Sequence, residues 1–146
     1  RGMAQTLDTL PELEIGMVAD PLSWSLWPQA KAMLDPALAR SDEDWPQVAP
    51  ALVRNDMQLW AVLERGSLLA AAVTRVVVWG SREAAEIYLV GGENQRRWIR
   101  QLNDTIAASA KDIGCVVMRA YGRLGWRDIL GALGWKIKVV VYERTL

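Results

Sequence analysis

Residues 85–114 read AEIYLVGGENQRRWIRQLNDTIAASAKDIG, and this stretch decides the fold. Its β-branched and aromatic run, Glu86–Val90, predicts a buried strand, and the pair Gly91-Gly92 predicts the turn that ends it. Beyond the glycines, apolar residues recur every three or four positions, as on one face of an amphipathic helix: Trp98, Leu102, Ile106, Ala110 and Ile113. A strand, a glycine turn and a helix N-terminus form a generic anion site, because the first amides of a helix have no intrahelical partner.

The residues before this unit predict one strand, two helices and a hairpin. The strand is Leu13–Val18, the helices are Ser23–Ala39 and Trp45–Val53, and the hairpin strands are Gln58–Glu64 and Leu68–Val78. Pro36 is expected to break the first helix, since proline lacks the amide that a helix interior needs. The second hairpin strand is apolar on both faces, so we expect it in the middle of a covered sheet.

Three elements are predicted after the long helix: a strand at Cys115–Ala120, a short helix at Trp126–Leu133 and a final strand at Lys136–Glu143. A strand, a long helix and a second strand form the crossover that parallel pairing requires. Residues 1–10 are polar and aperiodic and are predicted to be a loose arm, with residues 11–146 forming a single domain. The predicted fold class is α/β, with a mixed central sheet and helices on both faces.

The composition excludes several kinds of chemistry. With 17 basic and 17 acidic side chains among 146 residues, the net charge gives no reason to expect a nucleic acid or an anionic membrane as partner. The chain has no histidine and one cysteine, which excludes a Ser-His-Asp or Cys-His apparatus and an internal disulfide, and no metal site is expected. No apolar run is long enough to span a bilayer, so a soluble protein is predicted.

The order of predicted elements and three local motifs resemble the GNAT acetyltransferase superfamily. The hairpin of residues 58–79 is similar to the second and third strands of that fold, and Glu86–Gly114 is similar to its fourth strand, cofactor turn and third helix. Residues Ile129–Trp135 resemble the FYxxLGF motif of its fourth helix, with Leu133-Gly134-Trp135 at the last three positions. The resemblance covers Leu13–Leu146 and implies a GNAT-like sheet with acetyl-CoA as the cofactor.

Within that superfamily, the pattern of glycine- and tryptophan-containing motifs is similar to that of small phage and prophage proteins with a GNAT-like core. The residues that carry this similarity are Gly91-Gly92, Trp98-Ile99, Ala110, Gly114-Cys115, Gly122–Trp126 and Leu133–Trp135. Such proteins are often labelled acetyltransferases by fold, and some are thought to be virion components. The resemblance implies the cytoplasm of a bacterial host, or a virion, as the location, and other proteins, including phage structural proteins, as partners.

The resemblance places the cofactor at the glycine turn, where GNAT enzymes hold the pyrophosphate of acetyl-CoA on backbone amides in a (Q/R)xxGx(G/A) pattern. The candidate cofactor-binding residues are Leu89, Val90, Gly91, Gly92, Gln95, Arg96 and Arg97. No glycine stands where the helix should begin, and Glu93 brings a negative charge to that position. The arginines oppose the helix dipole, so they either hold an anion or form a solvated face in which Glu93 pairs with Arg97.

Two residues are candidate catalytic groups. Glu86 could deprotonate an amine, directly or through water, unless it pairs with Arg75 or Arg82. The tyrosine of the family motif, its usual general acid, falls on Leu130, which cannot donate a proton. Tyr121 is the candidate substitute, with a role as a loop anchor as the alternative.

Two functions follow from these residues. In the first, the chain is a GNAT-like protein of phage or prophage type with a degenerate acetyl-CoA site, a non-catalytic component that binds other proteins, with Trp24, Trp27 and Trp45 as the predicted partner surface. In the second, it is an active acetyl-CoA-dependent N-acetyltransferase. The incomplete glycine pattern at the cofactor turn and the leucine at residue 130 favour the first function. The fold favours the second, although fold does not imply function.

Overall fold

The computed structural model describes residues 12–146, which contain a five-stranded sheet with helices on both faces. The strands are β1 Leu13–Met17, β2 Met57–Glu64, β3 Ser67–Trp79, β4 Arg82–Gly92 and β5 Val117–Ala120. The helices are α1 Trp27–Ala39, α2 Trp45–Val53, α3 Gln95–Asp112 and α4 Arg127–Gly131, with 3-10 turns at Pro21–Ser23 and Leu124–Trp126. The sheet order is β1-β2-β3-β4-β5, and all neighbours are antiparallel except β4 and β5. The predicted α/β class and mixed sheet are confirmed.

Each face of the sheet buries its own hydrophobic cluster. Helices α1 and α2 cover one face, where the largest fully buried side chains are Leu34, Val48, Leu59, Val73 and Leu89. Helix α3 covers the other face, where they are Val62, Trp98, Leu102 and Ile106. Burying a large apolar side chain stabilises the fold by about 1.5 to 3 kcal/mol relative to its exposure. Four of the five residues of the predicted stripe are the buried residues of α3, whereas Ile113 lies just beyond the helix and is exposed.

Local signals fix the start of α2 and the hairpin turn between β2 and β3. The carboxylate of Asp44 accepts a hydrogen bond from the backbone amide of Gln47, and the Gln47 side chain accepts one from the Asp44 amide. This reciprocal capping box satisfies two helix-end donors, so α2 begins where the sequence predicts. Arg65 and Gly66 both have positive φ, 52° and 80°, as the tight turn of a two-residue hairpin requires.

A β-bulge at Tyr88 resets which residues of β4 face each helix layer. Val73 pairs with Leu89 but Thr74 pairs with Ile87, so Tyr88 is the extra residue in β4. Tyr88 and Leu89 consequently both pack in the cluster under α1 and α2, although strict alternation would send them to opposite faces. The reset also turns Gly91 towards α1.

The two glycines of β4 are needed for close packing. A Cβ on Gly91 would lie 1.9 Å from the carbonyl oxygen of Met33 in α1, which is too close for any side chain. Gly92 has φ 144°, and a Cβ there would lie 2.7 Å from the carbonyl oxygen of Leu69. Backbone approach from α1 and β3 thus explains why both positions lack a side chain.

Three predictions about secondary structure are wrong. The pair Gly91-Gly92 does not end the strand, because β4 runs through both residues and pairs with β3 as far as Gly92. Pro36 does not break α1. Proline leaves the carbonyl of Ala32, one turn earlier, without its helical donor, but both residues are exposed, so water can hydrogen-bond to that carbonyl. Residues Lys136–Glu143 form no strand in the described chain.

The remaining predictions agree with the structure to within a few residues. β3 is the central strand, and β5 is parallel to β4, as the crossover through α3 requires. Residues 1–10, the predicted loose arm, lie outside the described residues. No helix among residues 12–146 has the length and apolar character that crossing a membrane requires.

We predict that Gly91→Ala lowers the free energy of unfolding by about 2 to 3 kcal/mol, because the added methyl group forces α1 away from β4. Urea denaturation measures the loss. Gly16→Ala is the matched control, since a Cβ at Gly16 in β1 meets no atom within 4 Å, and it should change stability by less than about 0.5 kcal/mol. Equal losses in the two variants would contradict the close-approach explanation.

Candidate functional site

The sheet opens on one side of β4, and this opening is the candidate site. The parallel pairing of β4 with β5 extends from Ala84–Val117 to Ile87–Ala120 and then stops. Beyond Ile87, β4 continues to Gly92 and pairs with β3 alone. In sheets with parallel strands, ligands bind in the crevice beyond the carboxyl ends of the strands. The polar backbone groups on this open edge of β4 are therefore the place to look for ligand contacts.

A cavity of about 380 Å³ lies between the first turn of α3 and the residues that follow β5. It is lined by Gln95, Arg123, Gly125, Trp126 and Ile129. Its volume falls at the lower end of the range for small-molecule sites. One guanidinium and one carboxamide supply its polar side-chain atoms, and the Trp126 ring supplies an apolar wall that also packs on the α3 cluster. This combination suits a ligand with an anionic group and an apolar stem.

A second cavity of about 290 Å³ lies between the start of α3 and the β2–β3 hairpin. Its polar lining is Glu64, Glu93, Asn94 and Arg97, and Leu69 and Trp98 complete its wall. Arg97 donates from Nη2 to Oε2 of Glu64 at 3.4 Å, and Trp98 donates from Nε1 to the Glu93 carbonyl at 2.8 Å. The negative charge of Glu93 thus belongs to this second cavity and not to the lining of the first.

The candidate cofactor-binding residues after the glycines point in different directions. Gln95 lines the first cavity, Arg97 lines the second, and Arg96 is exposed. Asn94 caps α3 in the left-handed conformation, with φ 55°, and its side chain makes no cap hydrogen bond. The predicted Glu93–Arg97 pair is replaced by the Glu64–Arg97 pair, because the β2–β3 turn brings Glu64 beside the helix. Gln95, Arg96 and Arg97 therefore do not converge on one anion.

The candidate cofactor-binding residues before the turn are mostly occupied by packing. Leu89 is buried in the cluster under α1, and Val90 packs against the α3 cluster. Gly91 and Gly92 admit the α1 and β3 backbones. These four residues can offer a ligand only the backbone groups of the open β4 edge. The close approach of α1 and β3 thus accounts for both glycines without a ligand.

Glu86 lies in a buried ion pair. It is 4 % exposed, and its Oε1 accepts a hydrogen bond from Nε of Arg75 on β3 at 2.7 Å. Nη1 of Arg75 also reaches Oε1 of Glu43, before α2, at 3.3 Å, and its guanidinium lies 4.2 Å from the ring centroid of Tyr88. Of the two pairing partners that the sequence offered Glu86, the structure selects Arg75, its cross-strand neighbour.

The charges around Arg75 hold it in the ionised form. Burial lowers the pKa of Arg75, but the hydrogen bond and charge of Glu86, together with the charge of Glu43, outweigh burial and raise that pKa overall. Burial is the largest cause that raises the pKa of the Tyr88 hydroxyl, which lies close enough to Glu43 and Arg75 for their charges to act on it. The cluster therefore joins the loop between α1 and α2 to the centre of the sheet.

Two positions bear on the expected proton donor: Leu130, where the family has its tyrosine, and Tyr121, the candidate substitute. Tyr121 follows β5 directly and is 67 % exposed, so its hydroxyl is open to solvent. Leu130, at the position of the family tyrosine, is half-buried in α4. Register places Glu86 opposite Arg119, two residues before Tyr121, so the candidate base lies on β4 and the candidate acid directly after the neighbouring strand β5.

The candidate groups lie on two different faces of the sheet. Glu86 shares a face with Tyr88, under α1 and α2, whereas the first cavity lies with Trp126 on the α3 face. The opening between β4 and β5 lies next to both, because the pairing of these strands stops at Ile87 and Ala120.

Sequence reasoning missed three residues that shape this region. Glu43 and Tyr88 complete the Arg75 cluster, and Arg123 supplies the positive charge of the first cavity. The alternation of Glu86 and Tyr88 on one strand was a usable signal for Tyr88. Glu43 and Arg123 lie in loops, where no periodic pattern indicates a neighbour.

The tryptophans proposed as a partner surface are more covered than expected. Trp24, Trp27 and Trp45 are half-buried and pack against the cluster under α1 and α2. The rings of Trp27 and Trp45 meet edge to face with centroids 5.4 Å apart, and Nε1 of Trp45 donates to Asp35 at 2.7 Å. They join α1 to α2, which is a structural role.

The described residues contain no cluster of metal-ligating side chains. Among residues 12–146, no three His, Cys, Asp or Glu side chains are grouped so that they could hold a metal ion. Cys115, the one cysteine of the sequence, is buried, and burial raises the pKa of its thiol.

Comparison with known proteins identifies the fold. No protein-family model matches the sequence, and no curated protein matches it. Several solved structures of N-acetyltransferases share the arrangement. The aminoglycoside N-acetyltransferase AAC(6')-Iy in complex with CoA superposes with a TM-score of 0.71 at 14 % identity, over 94 % of this chain and 97 % of that one.

Two further N-acetyltransferases give the same result. Ribosomal-protein-alanine N-acetyltransferase from Brucella melitensis biovar Abortus 2308 has a TM-score of 0.68 at 10 % identity, over 92 % of this chain and 99 % of that one. Glucosamine-6-phosphate N-acetyltransferase from Arabidopsis thaliana has a TM-score of 0.63 at 11 % identity, over 92 % and 98 %. The chain has the fold of the GNAT acetyltransferases, as the sequence predicts.

We predict that Arg75→Met lowers the free energy of unfolding by about 2 to 4 kcal/mol at neutral pH, because Glu86 is left buried without its partner. Adding Glu86→Gln should recover at least about half of the loss, since the uncompensated charge is removed. Urea denaturation of the two variants measures both effects.

The exposed pair Arg54–Asp56 provides the control. Arg54→Met should change stability by less than about 1 kcal/mol, because solvent screens an exposed pair. A small loss in Arg75→Met, equal to that of the control, would show that the buried pair does not hold the sheet to the α1–α2 loop.

Proposed function

We propose that this chain is a GNAT-fold protein with a degenerate acetyl-CoA site, which acts by binding other proteins and not by acetyl transfer. The observation that carries the proposal is the state of Glu86, whose carboxylate is buried and hydrogen-bonded to Arg75 at 2.7 Å. A general base must reach the proton that it removes and be free to accept it. Glu86 is instead enclosed in the sheet, and its Oε1 is engaged by Nε of Arg75, so the carboxylate is not presented to a substrate amine.

The Gly91-Gly92 pair supports the same proposal. Gly91 and Gly92 are explained by the close approach of α1 and β3, so their presence gives no independent reason to expect a phosphate. Of the residues that follow them, Arg97 is paired with Glu64 and Arg96 is exposed. The absence of a tyrosine at Leu130 adds to this, because leucine cannot protonate a thiolate leaving group.

The setting in a phage or prophage, with virion association and phage structural proteins as partners, stays a prediction from the sequence resemblance. The same holds for the cytoplasm of a bacterial host as the location, and for the single domain of residues 11–146.

An active acetyl-CoA-dependent N-acetyltransferase is the second candidate function. It is favoured by the cavity beyond the carboxyl ends of β4 and β5, where Gln95 and Arg123 could contact an anionic group. Neighbours with this fold include a structure in complex with CoA. In this case the cofactor supplies the acetyl group as a thioester. Leu89–Gly92 would offer backbone contacts, Glu86 would assist deprotonation and Tyr121 would protonate the thiolate.

Titration with acetyl-CoA separates the two functions. With a degenerate site, about 1 mM acetyl-CoA should stabilise the protein by less than about 0.4 kcal/mol, and calorimetry should detect no saturable heat. An intact site at about a hundredfold excess over its dissociation constant would stabilise the protein by about 2.7 kcal/mol. Thermal unfolding with and without the cofactor, together with isothermal titration, makes the measurement.

Arg123→Glu provides the matched control for specific binding. Arg123 is exposed and lines the first cavity, so replacing it does not disturb the core. If the wild type binds acetyl-CoA and this variant does not, the site is intact and the proposal of a degenerate site is wrong. Release of free CoA thiol is then followed with an aminoglycoside, glucosamine 6-phosphate and an alanine-terminated peptide as acceptors. Turnover that Tyr121→Phe lowers by about a hundredfold would establish the enzyme.

A further inference from the structure

Three neighbouring strands carry a row of charged side chains on the sheet face towards α1 and α2. Arg75 of β3 pairs in register with Glu86 of β4, and Glu86 pairs in turn with Arg119 of β5. Residues that pair in register lie on the same face of a sheet, so the three side chains form one row across the strands. We call it the charged row. Its two guanidiniums and one carboxylate leave one positive charge in excess.

The Arg75 guanidinium is held in place and is still accessible. Its Nε donates to Oε1 of Glu86 at 2.7 Å, and its plane lies over the Tyr88 ring, 4.2 Å from the centroid. The side chain is nevertheless 27 % exposed. A guanidinium that is already fixed in one orientation presents a planar set of N–H donors, so a carboxylate that binds to it orders little else.

The Arg75 guanidinium also contacts a glutamate that comes from outside the sheet. Nη1 of Arg75 reaches Oε1 of Glu43, in the loop between α1 and α2, at 3.3 Å. This distance exceeds the roughly 2.7 to 2.9 Å of strong charge-assisted hydrogen bonds. The Glu43 side chain is 28 % exposed. The structure thus shows the kind of group that the charged row takes, a glutamate carboxylate, in a loose and accessible contact.

The loop around Glu43 is held by contacts that this carboxylate does not make. Ser41 donates from Oγ to the Leu38 carbonyl at 2.8 Å, and the Glu43 amide donates to Oγ of Ser41 at 3.1 Å. The capping box of Asp44 and Gln47 fixes the next residues. The Glu43 side chain can therefore rotate into solvent while the backbone of the loop stays where it is.

An apolar row runs beside the charged row on the same face. Two residues further along the strands, Val77 pairs with Ala84, and Ala84 pairs with Val117. Val77 is half-buried and Ala84 is buried, whereas Val117 is 45 % exposed. A segment that brings a carboxylate to Arg75 would therefore meet an exposed valine next to the charge.

We propose that the charged row binds an aspartate or glutamate side chain of a partner protein, which displaces Glu43 from Arg75 and places a neighbouring apolar residue on Val117. Glu43 is then an internal competitor that occupies the site until the partner arrives. The excess positive charge of Arg75 and Arg119 over Glu86 favours an anion in either state. The identity of the ligand as part of a protein rests on the proposed protein-binding function.

Titration of the ¹⁵N-labelled protein with two blocked dipeptides tests the proposal. N-acetyl-Val-Glu-amide should shift the Nε–H signal of Arg75 in a saturable manner, whereas N-acetyl-Val-Gln-amide, which has the same shape without the charge, should not. Glu43→Gln should bind the first peptide at least about tenfold more tightly than the wild type, because apparent affinity is reduced by the fraction of molecules in which the site is closed.

Asp42→Asn is the matched control. Asp42 lies in the same loop, is exposed, and forms no ion pair with any residue of the part of the chain that the structure describes. This variant removes the same charge as Glu43→Gln but leaves the Arg75 contact in place, so its affinity should stay within about twofold of the wild type. The comparison of the two peptides on the wild type needs no variant and stands even if Glu43→Gln unfolds.

Four results would overturn the proposal. The first is no binding of N-acetyl-Val-Glu-amide at millimolar concentrations to the wild type and to Glu43→Gln. The second is equal affinity for the two peptides. The third is an equal gain in Asp42→Asn and Glu43→Gln, which would mean that only the overall charge of the loop matters. The fourth is tighter binding of N-acetyl-Val-Ala with a free carboxyl terminus, which would mean that the site takes a chain end.

These results are separable from the test of the proposed function. The peptide titrations contain no acetyl-CoA, so a failure here leaves the result of the acetyl-CoA titration unchanged. Saturable binding of acetyl-CoA with turnover would contradict the proposed function, whereas the difference between the two peptides would still report on Arg75.

Discussion

The contact between α1 and β4 is the constraint on which the rest of the fold depends. The Met33 carbonyl occupies the space where any side chain at residue 91 would lie, so α1 can pack on the sheet only because Gly91 is there. This close approach brings Leu34 and Leu38 into the cluster beneath the helix. Gly91 also lies on the part of β4 that extends beyond its pairing with β5. A single requirement for a small residue thus affects both the packing of the core and the strand beside the candidate site.

Much of the fold could be predicted because its signals are local. The bounds of α2 followed from Asp44 and Pro46, since a cap and a first-turn proline need no distant partner. The central position of β3 followed from its apolar character on both faces. By contrast, the sequence predicts a turn at Gly91-Gly92. The backbone segments that require both glycines, in α1 and β3, are distant in sequence, so no local signal reveals them. Residues 136–143 show the reverse case, since a strand-forming sequence becomes a strand only when it finds an edge.

The candidate site follows from the sequence only in part. The sequence predicts an anion site between the end of β4 and the start of α3, and it names Arg75 as one of two possible partners of Glu86. It could not give the convergence of Glu43, Arg75 and Tyr88, because that depends on the loop between α1 and α2 folding over the sheet. Nor could it show that Gln95 and Arg97 face two different cavities. Side-chain direction at a helix start depends on the cap, and Asn94 adopts a left-handed conformation there.

The bulge at Tyr88 has an evolutionary consequence for this strand. Straightening the bulge without removing a residue, so that Val73 paired with Tyr88, would make every later side chain of β4 exchange faces. Val90 would then point at the Met33 backbone, where no side chain fits, and Gly91 would leave a gap beneath α3. Loss of the extra residue itself would leave Leu89, Val90 and Gly91 on their present faces. Changes of length within β4 in relatives of this chain are therefore expected at the bulge, and other insertions and deletions in the loops on either side of the strand.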